Sequence, residues 1–382
     1  MGTIKEDAQK IIHRSIQSVL PDAAVQRALE GKTFSGKVIV ISIGKAAWTM
    51  ANAAAKILDH RIYKGIVLTK YHHSQGDING FTILEAGHPL PDENTITATE
   101  KIIDTVRDLS AQDSIIFLVS GGGSALFEKP MGDLSLIHYL ELTEQLLKCG
   151  ANIIEMNTIR KHLSAVKGGK FATLCAPAKI YTIALSDILG DRPDSIASGP
   201  TCADLSTCAD AFAIIEKYKL SLTDEMRKHL SVETPKNVIN NTFIVTGSVS
   251  ELCSAAANEA QSLGYHPLVL TTFVDCEAKD AGRFLASIAK TIQKDGLPIK
   301  PPCAIICGGE TIVHIKGEGK GGRNQELALS AAELIAGMDN VIIGAVGSDG
   351  TDGPTDAAGA LVDGSTKENL SKKGLSIPNI LA

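Results

Sequence analysis

Four near-continuous apolar runs, KVIVISIG (37–44), KGIVLT (64–69), DSIIFLVS (113–120) and AKIYTIALSD (178–187), alternate with longer segments whose apolar residues recur at helical spacing. A strand that is apolar on both faces must be covered on both faces, and helices between successive strands are what supply the cover. The alternation therefore predicts an α/β chain with mainly parallel sheets. Helices are expected over 4–30, 46–58, 92–109, 133–148 and 152–164, with FTILEA (81–86) as a further strand. Beyond the polar stretch SVETPKNVIN (231–240) the pattern resumes with strands TFIVTGS, HPLVLTT, PPCAIICGGE, TIVHIK and VIIGAVGSDG and helices over 249–263, 278–295 and 322–336. The expected organisation is a Rossmann-like N-terminal domain over 1–236 and a smaller α/β domain over 237–382.

Bulk properties exclude several classes of function. With 382 residues, 44% hydrophobic and 21% charged, the chain can bury sizeable cores and is neither disordered nor fibrous. Its net charge is -6 and its Lys and Arg residues are scattered, so no basic stripe exists to follow a phosphate backbone and no nucleic-acid partner is expected. The N-terminal segment MGTIKEDAQKIIHRSIQSVL is charged and amphipathic. No apolar run approaches the ~18 residues of a membrane span. The expectation is a cytoplasmic protein without a membrane partner. The eight cysteines include no C-x-x-C pair and read as buried free thiols, and their spacing offers no zinc site.

In a parallel sheet the ligand crevice lies beyond the carboxyl ends of the strands, so the loops that follow strands carry the chemistry. KVIVIS ends in Gly44-Lys45-Ala46-Ala47, which places a lysine at the entry to a helix, where an anion meets both a cation and backbone N–H groups. DSIIFLVS ends in Gly121, Gly122, Gly123 and Ser124. Three successive glycines cost backbone entropy and bring no packing, so they suit close backbone approach to a phosphate or carboxylate. Cations concentrate further on, in Asn157-Thr158-Ile159-Arg160-Lys161-His162 and in Lys167-Gly168-Gly169-Lys170. AKIYTIALSD delivers Asp187 at a strand end as a metal ligand or general base, while Asp191 and Asp194 fit either a site or turn caps.

Thirteen of the 35 glycines fall between Gly308 and Gly364. The segment GEGKGGRNQ (317–325) contains a literal G-x-G-x-x-G and also approaches a phosphate loop. Gly319, Lys320, Gly321, Gly322, Arg323 and Asn324, with Lys316 beside them, form a cationic cradle better matched to a triphosphate than to one pyrophosphate. GSDGTDGPTD (347–356) sets Asp349 and Asp352 on a turn, either as a one- or two-carboxylate Mg²⁺ site or as Asx turns. Glu310, after Gly308-Gly309, is a further acidic candidate for the metal.

Taken together, VSGGGSALFEKP, ALSDILGDRPDSIASGPT, CGGETIVHIKGEGKGGRNQELAL and GSDGTDGPTDAAGALVD resemble the glycerate kinases that phosphorylate the 2-hydroxyl, whose C-terminal half is called the MOFRL domain. The resemblance runs from about residue 5 to about residue 365. It implies two α/β domains with the active site in the interdomain cleft, ATP as phosphoryl donor, a Mg²⁺ requirement, and D-glycerate as acceptor, giving 2-phosphoglycerate and ADP. Lys45 and Arg323 match the family's proposed active-site cations. In this scheme Gly44, Gly121 to Ser124, Gly319 to Gly322 and Asn324 bind substrate or phosphate. Asp349, Asp352 and Glu310 hold the metal, Asp187 orients or deprotonates the hydroxyl, and a homodimer is admitted. Family members usually continue to a segment of the type Gly-Pro-Thr-Gly-Thr-Asn-Val, whereas this sequence ends LSIPNILA, so a short or truncated C-terminal domain is expected. Some members carry a hydroxypyruvate reductase label, which sets an NAD(P)H-dependent reductase against the kinase. A non-catalytic nucleotide-binding regulator is the third reading.

Overall fold

The computed structural model describes residues 3–186, 190, 192–315, 317 and 319–381. The chain divides into two units, Pro21–Ser248 and Met1–Leu20 with Val249–Ala382. The division begins inside the segment expected as one helix over 4–30, which is two helices, α1 (Ile4–Val19) and α2 (Pro21–Leu29). Leu20 between them is extended at ψ 145°, as a following proline dictates. The break assigns the two helices to different units.

The unit Pro21–Ser248 continues with β1 (Val38–Ile43), α3 (Ala47–Leu58), β2 (Ile62–Lys70), β3 (Phe81–Ala86), α4 (Glu93–Val106), β4 (Ser114–Val119), α5 (Gly123–Leu126), α6 (Leu136–Lys148), α7 (Ile153–Leu163), α8 (Lys170–Cys175), β5 (Lys179–Leu185), α9 (Cys208–Tyr218), α10 (Asp224–Leu230) and β6 (Asn241–Thr246). The strands form one six-stranded sheet in the order β3-β2-β1-β4-β5-β6, parallel at every pairing. All residues of β1 and β4 are buried, as the uniform apolar runs require. Side chains alternate across the pleat. Ile39, Ile41, Ile115 and Phe117 pack with Ile102 and Phe171 on one face, and Val38, Val40, Ile116 and Leu118 pack with Val25 and Met50 on the other. Each such side chain contributes ~1.5–3 kcal/mol by leaving water. A separate cluster built on Leu142, Leu146, Ile159, Ile215 and Leu230 joins α6, α7, α9 and α10.

The boundary expected at 236/237 falls elsewhere. TFIVTGS, expected to open the second domain, is β6, and it pairs with β5 from Ile180↔Asn241 to Leu185↔Thr246. It completes the edge of the first sheet, so the first unit extends to Ser248.

The other unit contains α1, α11 (Val249–Ser262), β7 (His266–Val274), α12 (Ala278–Asp295), β8 (Cys303–Gly309), α13 (Arg323–Leu334), β9 (Ile342–Val346), β10 (Gly359–Asp363), α14 (Thr366–Lys372) and α15 (Ile377–Ile380). It is α/β, but among the described residues β7 and β8 are its one parallel strand pair, while β9 and the unanticipated β10 are antiparallel. TIVHIK, described only over residues 311–315, forms no strand there. Only Ile312 makes an isolated bridge, to Glu277, and Ile312 and Ile315 lie exposed. Alanines 286, 328, 331 and 332 are wholly buried and build the core of this unit with Ile335 and Ile343. Among the described residues no helix is long and apolar enough to cross a membrane. The expectation of buried thiols holds for Cys175 and Cys253 only; Cys276 is exposed and the remaining five are half-buried.

Candidate active site

The strand order places two of the expected loops side by side. From β1 the chain winds outward to β2 and β3, then returns to β4 on the other flank of β1. The carboxyl ends of β1 and β4 are therefore the topological switch point, where open α/β sheets bind ligands. Gly44-Lys45 follows β1 and Gly121-Gly122-Gly123 follows β4. The two loops are joined across the switch: Lys45 N–H donates to the Gly121 carbonyl at 2.8 Å and Ala46 N–H to Ser120 Oγ at 3.0 Å. Gly122 is left-handed at φ 85°. A Cβ there would lie 3.0 Å from the His88 ring and 3.2 Å from Lys45 Cγ, so only glycine lets this loop approach both side chains so closely. Gly123 N–H is used on the Ser120 carbonyl at 3.3 Å. Among the described residues the N–H groups of Gly121, Gly122 and Ser124 have no protein acceptor.

Beside this loop lies a pocket of about 150 Å³ lined by His88, Gly122, Ser124, Tyr139, Thr143 and Arg160, among others. That volume holds about five waters, enough for a small organic acid and too little for a nucleotide. Burial, then the charges of Lys45, Lys70 and His73, push the His88 imidazole below its usual range. A neutral imidazole in a cationic surround is a proton acceptor beside an anion site. Ser124 Oγ lies 3.1 Å from Ser198 Oγ, which in turn lies 3.0 Å from Asn157 Oδ1. Ser198 reaches them through an unusual backbone, with Ala197 and Ser198 both left-handed at φ 49° and 60°. Non-glycine residues held there cost ~1–2 kcal/mol each, and such strain concentrates at functional sites.

Of the cations expected downstream, only Arg160 lines the pocket. The others turn inward and hold the scaffold. Lys161 pairs with Asp204 at 3.2 Å and Asp194 at 3.4 Å. Lys167 pairs with Glu128 at 2.5 Å, both fully buried, and Tyr139 donates to the same carboxylate at 2.5 Å. Lys170, pushed down to about 8 by burial, donates to the carbonyls of Lys161, His162 and Ser164 at 2.9, 3.0 and 2.7 Å. It thereby satisfies the carboxyl end of α7.

The second group of expected residues forms a cluster around the start of α13. Gly322 is its N-cap. Asp352, expected as a metal ligand, has a different role. Only 2% exposed, it accepts from Asn324 N and Nδ2 at 3.0 and 3.1 Å and from Gln325 N and Nε2 at 2.8 and 3.1 Å. Both oxygens are filled by donors, and a carboxylate at a helix N-terminus also meets its dipole. Gly322 is glycine because a Cβ would strike the Asp352 carboxyl carbon at 2.2 Å. The same contacts occupy the Asn324 backbone N–H and one of its two amide N–H groups, so its amide oxygen and the second N–H remain for a substrate. Arg323 is ion-paired to Glu310, both about half exposed. Asp349 is exposed and accepts from Thr351 N–H at 3.1 Å, an Asx turn. Gly319, Lys320 and Gly321 are exposed. Asp187, Asp191 and Lys316 lie outside the described residues.

Sequence reasoning missed His88, Asn157 and Ser198 as members of the site. The signal for His88 was present: GHPLP directly follows β3, at the same sheet edge as the other two loops. Asn157 lies in the cation-rich segment and Ser198 in the ALSDILGDRPDSIASGPT motif, but their meeting with Ser124 depends on how α7 and the left-handed turn pack.

The fold is that of an α/β protein with a small pocket, lined in part by His88, Ser124 and Arg160, beside the switch point of its parallel sheet. Family models match over residues 7–231, the domain of unknown function DUF4147, and over residues 303–382, the MOFRL family. The chain is 50% identical to a D-glycerate 2-kinase of Thermotoga maritima over 97% of its own length and 89% of that protein's. It is 41% identical to a putative hydroxypyruvate reductase of Agrobacterium vitis, over 93% of this chain and 82% of that one. The crystal structure of glycerate kinase from Thermotoga maritima superposes with a TM-score of 0.96 at 49% identity, covering 99% of this chain and 91% of that one. The chain belongs to the DUF4147/MOFRL family of glycerate kinases.

Proposed function

We propose that the protein is a D-glycerate 2-kinase that transfers the γ-phosphoryl group of ATP to the 2-hydroxyl of D-glycerate, giving 2-phosphoglycerate and ADP. The observation that carries this reading is the small pocket at the switch point, where Lys45, Arg160 and free backbone N–H groups adjoin a neutral imidazole. Arg160 and the glycine loop would take the acceptor's carboxylate, Ser124 and its partners Ser198 and Asn157 would orient hydroxyls, and His88 would accept the proton of the attacking hydroxyl. Asp187 stays the alternative base. Lys45 would neutralise charge on the transferring group, which is the main task in phosphoryl transfer. Lys320 and Arg323, with Gly319 to Gly322, would hold the ATP phosphates, the nucleotide replacing Glu310 on Arg323.

Of the three carboxylates expected at the metal, Asp352 has both oxygens filled by N–H donors, so Asp349 and Glu310 are the residues that would hold Mg²⁺. When bound, Mg²⁺ would neutralise charge on the β- and γ-phosphates.

The reductase reading loses its motif. A dinucleotide fingerprint needs a strand before its glycines, and residues 313–315 ahead of Gly317 are not one. At β1, where the sheet order would place that fingerprint, the sequence is Ile43-Gly44-Lys45-Ala46. The decisive assay follows ADP with Mg-ATP and D-glycerate, in parallel with NADH loss on hydroxypyruvate. Glycerate-dependent ADP without NADH oxidation supports the kinase, and NADH oxidation without ADP refutes it.

A further inference from the structure

The spacing of the cysteines suggests no metal site, yet the fold assembles a set of mixed ligands that are not among the residues lining the candidate active-site pocket. His162 lies in the last turn of α7, Cys208 is the first residue of α9, and Glu233 follows α10. A ring nitrogen of His162, the Cys208 sulfur and a Glu233 carboxylate oxygen all lie within 4.8 Å of one another. Each comes from a different segment, so no local sequence spacing announces the group.

The histidine supplies an independent observation. His162 is 1% exposed. Its Nδ1 lies 2.9 Å from the Thr158 carbonyl, which can only accept, so Nδ1 carries the hydrogen and Nε2 presents a bare lone pair. Nε2 is buried and, among the described residues, has no hydrogen-bond partner. An unsatisfied buried acceptor costs ~1–3 kcal/mol. A histidine whose second nitrogen is fixed on a backbone carbonyl is the usual arrangement of a metal ligand. The other two ligands are oriented as well: Cys208 N–H donates to Glu233 Oε1 at 3.0 Å, and Glu233 Oε2 pairs with Lys236 at 2.8 Å. Lys236 is itself held by the Ser206 carbonyl and Thr234.

We propose that His162 Nε2, the Cys208 thiolate and the Glu233 carboxylate bind one Zn²⁺, with water as the fourth ligand. Nitrogen, sulfur and oxygen together suit zinc rather than Mg²⁺ or Ca²⁺, which take oxygen alone. Zinc bonds of about 2.0–2.3 Å place tetrahedral ligands about 3.5 Å apart. The closure needed from 4.8 Å falls on Cys208 and Glu233, the half-buried and exposed members of the group. Thiolate and carboxylate neutralise the ion, and the thiol proton leaves to solvent as it binds. The ion would tie α7, which carries Asn157 and Arg160, to the start of α9 and to the segment after α10.

The test uses the full chain, stripped with chelator and titrated with ZnCl₂ against a competing chromophoric chelator, and with CoCl₂ by absorbance. Expected are one equivalent of tight zinc, a near-ultraviolet thiolate-to-cobalt band, and a rise in Tm of about 5 °C at a free zinc concentration ~100 times Kd. Cys208→Ser removes the band and the tight equivalent, and Glu233→Gln weakens binding at least tenfold. Both positions are accessible enough that these variants fold, which a change at buried His162 does not guarantee. A band that survives Cys208→Ser, or zinc affinity unchanged in both variants, overturns the assignment. Failure of either kind leaves the kinase reading untouched, since that is decided by ADP release.

Discussion

Replacing Asp352 by Asn separates a structural carboxylate from a metal ligand. In the native chain its two oxygens receive four N–H groups, two of them the backbone donors of Asn324 and Gln325 at the start of α13. Hydrogen bonds to a charged group contribute ~1.5–3 kcal/mol each, and a buried donor left unsatisfied costs a similar amount. The asparagine amide keeps one acceptor but turns an NH₂ toward two donors, and the charge that complements the helix dipole disappears. One backbone donor then faces the NH₂ and the other keeps a neutral acceptor in place of a charged one, so the expected destabilisation is about 2–4 kcal/mol. In a unit of this size that lowers Tm by about 10 °C. The assay is thermal unfolding followed by circular dichroism, once with EDTA and once with Mg²⁺. The loss should be the same in both, because the capped helix does not need the ion. If the variant melted within about 1 °C of the parent while the Mg²⁺ concentration for half-maximal activity rose tenfold or more, Asp352 would be a ligand and the capping argument would be refuted.

Lys167→Met should cost about 3–5 kcal/mol by leaving the Glu128 carboxylate buried without its cation, and the double variant with Glu128→Leu should recover much of that, as read from urea midpoints. Lys45→Met should move the His88 imidazole up toward 6.5, seen in a histidine NMR titration, because Lys45 is one of the charges holding it down. Since that folded value lies below the unfolded one, the unfolded chain takes the proton first. The contribution of His88 to stability is therefore complete above about 6.5 and is lost as the pH falls through 6.5 toward the folded value. Arg323→Ala should lower kcat about 10²–10³-fold with less effect on ATP binding, because a cation on the transferring group acts most strongly in the transition state. Equal losses in both would make it a binding residue only.

The central sheet was readable because β1, β4 and β5 are apolar on both faces, and a buried parallel strand is the simplest structure such runs form. The same logic located Lys45 and the Gly121 loop at strand ends. The division of the N-terminal helix at Pro21 was written in the sequence as a proline, yet helical periodicity continues across it and hides the break. TIVHIK has strand-like composition, yet over residues 311–315 only Ile312 finds a bridge partner, which composition does not reveal. The role of Asp352 depends on where a helix begins in three dimensions. Lys161, Lys167 and Lys170 stand out in the sequence as a concentration of cations, because charge shows in sequence and burial does not. His162, Cys208 and Glu233 are separated by long stretches of chain, and only packing brings them together.

The account stands most directly on the product formed. With Mg-ATP and D-glycerate, ³¹P NMR of the quenched reaction should show 2-phosphoglycerate accumulating in step with ADP. Phosphate on the 3-hydroxyl, or ADP that forms equally without glycerate, would contradict it.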